Sequence, residues 1–196
     1  TEPGRAAPVR ADTARLCRQR HHPTMTAQPQ AIIRPATPAD AVPLAEVHIA
    51  AWQAAYRGLM PDDMLDRLDV QQRARAWQQV LAEGASTTLI CERGGQFAGF
   101  ATFGPTRDED DDPRQVGEIQ AIYVRPSCWR QGIGEALCRA AMEDIIGQGV
   151  REVTLWVLER NHPARRFYEA QGFRPDGGIK SECYGEPLSV VRYRNV

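Results

Sequence analysis

The chain has 196 residues, with 24 basic and 25 acidic side chains and a formal net charge of −1. That length fits one domain whose core needs no covalent staple, and near-neutrality argues against a dedicated nucleic-acid or polyanion binder. An apolar fraction of 42% sets aside wholesale disorder, collagen and coiled coil, and no apolar run reaches the ~20 residues of a membrane-spanning helix.

Residues 1–24 hold Arg5, Arg10, Arg15, Arg18 and Arg20 against only Glu2 and Asp12, with three prolines and no helical or strand period. The segment lacks the apolar stretch of a secretory signal. It reads as an extension outside the fold, disordered or belonging to upstream sequence, ahead of a single domain over 25–196. The cysteines at 17, 91, 128, 138 and 183 form no C-x-x-C pair, so reduced thiols and a cytoplasmic protein are expected.

From residue 31 the pattern is that of an α/β chain. Ala31–Arg34 is a short strand. Thr37-Pro38-Ala39-Asp40 then opens a helix, with threonine as N-cap, proline in the first turn and an acid at its third position. Val42, Ala45, Ile49, Trp52 and Tyr56 fall on one helical face, and Gly58 and Pro61 end the helix. Shorter helices are expected near 61–67 and 70–83. A hairpin follows, Thr87–Cys91 and Gln96–Phe103 about Arg93-Gly94-Gly95. The five acids 108–112 read as a solvated loop rather than a metal site, since adjacent carboxylates diverge. Strands at 116–124 and 152–158 flank a helix at 132–146. The unbroken apolar run 153–158 predicts burial on both faces. A helix over 163–171 closes at Gly172, and two strands near 178–184 and 187–194 end the chain.

The stretch from Ile122 to Leu137 is strand, proline-closed turn, glycine pair and helix. A helix start carries unpaired N–H groups and the positive end of the dipole, which suits phosphate. Gly132 and Gly134 allow close approach. Leu137 stands where a third dinucleotide-fold glycine would be, and no G-K-[ST] follows, so neither a Rossmann nor a Walker fingerprint is present.

Directly after the next strand comes Asn161-His-Pro-Ala164-Arg-Arg-Phe167-Tyr168-Glu-Ala-Gln-Gly172-Phe173. With this segment the chain resembles the GNAT superfamily of N-acetyltransferases, which use acetyl-coenzyme A. The family's N-x-x-A-x-x-F-Y-x-x-x-G-F signature matches at every fixed position. Its V-x-P-x-x-[QR]-x-x-G-x-G/A turn matches through Val124, Pro126, Gly132 and Gly134, and departs at Trp129. The resemblance spans about 31–194 in element order. It implies a mixed, mostly antiparallel seven-stranded sheet whose central strands, 116–124 and 152–158, splay apart, with helices on both faces. It also implies that pantetheine lies along Ile122, Tyr123 and Val124, with Asn161 and Phe167 beside it. The pyrophosphate is expected on the amides of Arg130, Gln131, Gly132, Ile133, Gly134 and Glu135.

Direct thioester aminolysis needs a neutral amine, near-contact geometry, a donor for the oxyanion and a proton for the leaving thiolate; it requires no metal and no covalent enzyme intermediate. By resemblance Tyr168 is the proton donor. Glu118, on the strand that family members use to activate the amine, is the candidate base. It shares a face with Gln120 and Ile122 unless a bulge intervenes. His48 and Tyr123 are alternative bases. The segment from Trp52 to Pro61 resembles a W-x-x-x-Y-x-G-x-x-P stretch of many family members, which makes Trp52 and Tyr56 candidates to line the acceptor pocket. The expected function is transfer of acetyl from acetyl-CoA to a small-molecule or peptide amine, with no nucleic-acid or membrane partner; the family suggests a homodimer. The alternatives are a non-catalytic acyl-CoA-binding module of the same fold, or a transferase using another acyl-CoA.

Overall fold

The computed structural model describes residues 30–195; the expectation for 1–24 lies outside them. Seven strands form one sheet in the order β1-β2-β3-β4-β5-β7-β6. They are β1 Ala31–Pro35, β2 Thr87–Arg93, β3 Gln96–Pro105, β4 Val116–Val124, β5 Glu152–Leu158, β6 Arg174–Cys183 and β7 Pro187–Asn195. All neighbours pair antiparallel except β4 with β5. The five helices are α1 Ala41–Ala55, α2 Asp62–Asp66, α3 Val70–Glu83, α4 Ile133–Gly147 and α5 His162–Ala170. This is the mixed seven-stranded α/β sheet that the sequence implied.

The helices bury two faces. On one face Leu44, Ala45 and Val47 of α1 and Ala74 and Trp77 of α3 pack on Ile90 and Phe100. On the other, Ile133, Leu137, Cys138, Ala141 and Ile145 of α4 cover Cys91, Ala101, Phe103, Ile119, Val153 and Leu155. Each fully buried aliphatic chain contributes roughly 1.5–3 kcal/mol, so this double-sided packing fixes the sheet. Thr37 starts the first helical segment as read: its backbone N–H donates to Asp40 at 2.7 Å and its hydroxyl at 2.9 Å. Arg34 adds a bidentate pair to the same carboxylate, which holds Asp40 down at about 2, well below the usual carboxylate range.

Three expectations need correction. Val42 is 40% exposed; the buried face of α1 runs through Ala41, Leu44, Ala45, His48 and Ala51. The helix is apolar around most of its circumference, so its sequence offers two stripes and the packing selects one. β6 begins at Arg174 rather than near 178, because a bulge between Pro175 and Ile179 lets an edge strand carry proline and two glycines. Gln120 is itself a bulge. β3 pairs Thr102 with Ala121 but Phe103 with Ile119, so side-chain alternation on β4 reverses there. Glu118 therefore shares its face with Ala121 and Tyr123, while Ile122 and Val124 turn to the α4 side with Ile119.

β4 and β5 pair only from Val116–Ile119 to Glu152–Leu155. Beyond those four residue pairs the strands part, and a wedge opens between the ends of β4 and β5. Seven of the candidate site residues gather around a cavity there.

Candidate active site

A cavity of about 500 Å³ lies at the mouth of the wedge. Its walls bring together Trp52 of α1 and Tyr56 at its C-cap, Glu118, Ile122 and Tyr123 of β4, and Tyr168 of α5 with its N-cap Asn161. Trp52 and Tyr56 meet edge to face, with ring centroids 5.4 Å apart, and the Tyr56 and Tyr123 hydroxyls stand 3.5 Å apart. The two α1 aromatics also pack against Met60, Leu65, Leu158 and Val190, so they are both cavity wall and core. Burial raises the Tyr56 and Tyr123 phenols, and pushes Tyr168 well above the ordinary tyrosine range. A raised phenol keeps its proton. Among the described residues nothing hydrogen-bonds the Tyr168 hydroxyl, which leaves that O–H available to a ligand.

Beside the cavity, the turn before α4 exposes a run of amides. Trp129 N–H donates to Pro126 and Ala136 N–H to Gly132; among the described residues none of the six amides between, 130–135, meets an acceptor. Arg130 at φ 57° and Gly132 at φ 78° are both left-handed, a conformation that turns successive N–H groups toward one point. At the helix start this is an anion cradle built from main chain. A Cβ at Gly134 would make ordinary contact, 3.5 Å from the Phe167 ring and 3.7 Å from Val124. The Ile133 side chain is core, and the side chains of Arg130, Gln131 and Glu135 are exposed, so the cradle depends on backbone. Gln131 donates to the Ser127 carbonyl at 3.0 Å and accepts from Arg93.

Arg125 N–H pairs back to Ala98, so by strand alternation the main-chain groups of Val124 and Ile122 point into the wedge. The Val124 carbonyl is already taken by the Trp129 indole at 2.7 Å. Asn161 caps α5 with its Oδ1 accepting from Ala164 N–H at 3.2 Å, and the Phe167 and Tyr168 rings meet at 5.1 Å. One short helix thus connects cradle to cavity.

Glu118 is 1% exposed. Its carboxylate receives the Arg107 backbone N–H at 3.1 Å and Nε at 2.9 Å, with Nη2 on the other oxygen. His48, the alternative base, is buried with neither ring nitrogen hydrogen-bonded. Burial first and Arg73 second push it down to about 3, so it is neutral at physiological pH and a poor proton acceptor.

The acidic run is not simply solvated. The carboxylates of Asp108, Asp110 and Asp111 converge within 4.8 Å of one another. They close on arginines: Arg192 reaches Asp108, Asp110 and Asp176, and Arg194 reaches Asp111, Glu152 and Asp176. Asp108 also accepts from the Trp156 indole at 3.0 Å. Two cations on β7 overcome the divergence expected of neighbouring acids, and they pin the β3–β4 loop to the far half of the sheet.

Of the site residues read from the sequence, Trp52, Tyr56, Glu118, Ile122, Tyr123, Asn161 and Tyr168 line the cavity, while the turn 130–135 lies apart from its lining and meets Phe167 and Val124 at Gly134. The sequence reading missed Arg73, Arg107, Trp156, Lys180, Glu182 and Tyr184, all lining the cavity. They come from α3, the β3–β4 loop and the last strands, and no local spacing unites them.

Residues 49–173 match the model of the acetyltransferase (GNAT) family. A Bacillus subtilis protein named "uncharacterized N-acetyltransferase YuaI" is 33% identical over 70% of this chain and 77% of its own length. A Mycobacterium tuberculosis protein, named as a probable N-acetyltransferase, is 31% identical over 84% of this chain and 90% of its own. The crystal structure of PaiA N-acetyltransferase from Thermoplasma acidophilum, in complex with coenzyme A, has the same fold. Its TM-score is 0.63 at 17% identity, covering 85% of this chain and 98% of that one.

Proposed function

The chain belongs to the GNAT acetyltransferase family, and from that premise we propose that it passes an acetyl group directly from acetyl-CoA to a primary amine held in the aromatic cavity. The observation that carries this reading is an unpartnered phenol, Tyr168, and a buried carboxylate, Glu118, on one cavity, with the unbonded amides of 130–135 linked to it through Gly134, Phe167 and Tyr168. The family makes the chain an acyltransferase; the residue roles that follow are our reading.

The amides of 130–135 fit a pyrophosphate, since they offer donors and positive dipole without a competing acceptor. The main chain of Ile122 and Val124 and the free amide nitrogen of Asn161 orient the pantetheine arm. Phe167 sets the depth of Gly134, and Tyr123 closes the cavity floor. Acetyl-CoA supplies, when bound, an acyl group activated as a thioester. Trp52 and Tyr56 hold the body of the acceptor. Glu118 receives the proton of the acceptor ammonium. Arg107, whose side chain is 64% exposed, swings to water as that ammonium takes its place. Tyr168 gives its proton to the departing sulfur.

The test is release of free thiol from acetyl-CoA with a panel of amines, confirmed by mass of the acetylated product. Tyr168→Phe removes one hydroxyl with no protein partner, so the melting temperature should stay within about 2 °C. The kcat should fall ~10–10³-fold. An unchanged kcat with chemistry rate-limiting removes Tyr168 from the mechanism.

A further inference from the structure

The acceptor cavity carries an electrostatic surplus. Three cations line it, Arg73, Arg107 and Lys180, against two carboxylates, Glu118 and Glu182. Arg107 is paired with Glu118, and Lys180 with Glu182 at 3.2 Å. Arg73 has no carboxylate partner among the described residues. It is half-buried on α3, with its guanidinium carbon 5.7 Å from the centre of the Trp52 ring. Its charge bears on the cavity interior: it adds to the burial that lowers the His48 imidazole and works against the burial that raises the Tyr123 phenol.

The wall beside Arg73 has the same need. The Trp77 indole nitrogen, a donor only, is buried without an acceptor. His48, 8% exposed and without a hydrogen-bond partner, lies with its ring 5.9 Å from that of Trp77 and 5.1 Å from that of Trp52. Neutral imidazole still offers one N–H. The indole offers a donor only and the neutral imidazole one donor and one acceptor, both beside the Arg73 guanidinium that lines the same cavity. Buried polar groups left unpaired are costly, and the uncompensated charge of Arg73 makes the missing component an acceptor of hydrogen bonds that carries negative charge.

We propose that Arg73 is a specificity residue, and that the natural acceptor is a primary amine bearing a carboxylate, which docks on Arg73 while its amine faces Glu118 and Tyr168. This rests on the transfer reading above. A carboxylate fits better than a phosphate: its single charge matches the single surplus cation, and its two oxygens match the planar guanidinium fork. A dianion would leave one charge uncompensated among Trp52, Tyr56 and Trp77. The aromatic walls supply contact for an apolar body between the two ends.

The experiment uses two matched sets of amines: 6-aminohexanoate, 6-aminohexanamide and hexylamine, then L-phenylalanine, L-phenylalaninamide and 2-phenylethylamine. With acetyl-CoA saturating, thiol release gives kcat/KM for each. In at least one set the carboxylate should exceed its amide by about tenfold or more, the scale of one charge-assisted hydrogen bond. Arg73→Gln should erase that preference through KM while the uncharged members change less than about threefold. Turnover of the amines with no carboxylate preference, or a preference that survives Arg73→Gln, overturns the inference and leaves the transfer reading intact. A second arm needs no turnover: tryptophan fluorescence titrated with N-acetyl-L-phenylalanine and with its amide, in both proteins. Selective binding of the acid, lost in Arg73→Gln, supports the carboxylate site even if no amine in the panel is acetylated. Equal binding of acid and amide by the unaltered protein overturns it.

Discussion

Glu118→Gln and Arg107→Ala break one ion pair from opposite ends, and the burial asymmetry makes the outcomes unequal. The Glu118 side chain is 2% exposed and the Arg107 side chain 64%. In Glu118→Gln the shape is kept, an oxygen still accepts, and the guanidinium turns to water, so the loss is about 1 kcal/mol. Arg107→Ala leaves a buried carboxylate with only the backbone N–H of residue 107, and stranding a buried charge costs about 3–5 kcal/mol. At roughly 2–4 °C per kcal/mol for a chain of this size, the melting temperature should drop by about 6–20 °C in the alanine variant and about 2–4 °C in the glutamine variant. The chemistry separates the variants in another way. An alkylammonium with a pKa near ~10 is neutral in about one molecule in a thousand at pH 7 and about one in ten at pH 9. A base that removes this proton is needed most at low pH. The ratio of wild-type to Glu118→Gln kcat/KM should therefore be ~10²–10³ at pH 7 and shrink to about tenfold or less at pH 9. Thiol release across that range, with scanning calorimetry on both variants, gives all four numbers. A ratio constant from pH 7 to 9 would show that Glu118 only positions Arg107, and equal melting points would refute the burial argument.

Gly134→Glu should abolish acetyl-CoA binding by calorimetry in a folded protein, since it sets bulk against Phe167 and negative charge beside the unbonded amides; unchanged affinity would misplace the phosphate site. Tyr56→Ala should raise acceptor KM several-fold and leave acetyl-CoA affinity within about twofold, as expected for a cavity wall; a lower melting temperature alone would assign Tyr56 to the core. His48 predicts acid sensitivity. Its folded pKa, about 3, lies below the unfolded value near ~6.5, so the stability it allows is full above pH 6.5 and is lost as pH falls toward 3. By pH 4.5 this amounts to roughly 2–3 kcal/mol, and His48→Phe should flatten the fall in melting temperature between pH 6.5 and 4.5. An identical slope in the variant would place the acid sensitivity elsewhere.

The sequence showed the order of strands and helices because the determinants are local: the Thr37 capping box, the Arg93-Gly94-Gly95 turn, the apolar run on β5. The glycine turn and the Asn161–Phe173 segment were legible for the same reason, each being contiguous. What escaped is what only pairing decides. The bulge at Gln120 depends on how β3 lies against β4, and no residue of β4 announces it; yet it chooses which side chains join Glu118. Asp108, Asp110 and Asp111 acquire their role from arginines about eighty residues away on β7. Arg73 and Arg107 reach the cavity from a helix and a loop with no shared motif.

The narrow junction between β4 and β5 makes the sheet two sub-sheets, four strands and three, hinged at one end by four residue pairs and tied by the Asp–Arg cluster. Acetyl-CoA seated in the wedge, as proposed above, would touch both sides and become part of what joins them. Coenzyme concentration then sets the stability of the fold itself: at a hundredfold excess over Kd the native state gains about 2.7 kcal/mol. The amide hydrogens of Ile122 and Val124, which face the wedge, should exchange quickly with solvent in the free protein and become slow once the gap is filled. On the proposed reading the melting temperature of this chain reports on its acetyl-CoA supply, and ligand depletion loosens the molecule first along the seam between its two sub-sheets.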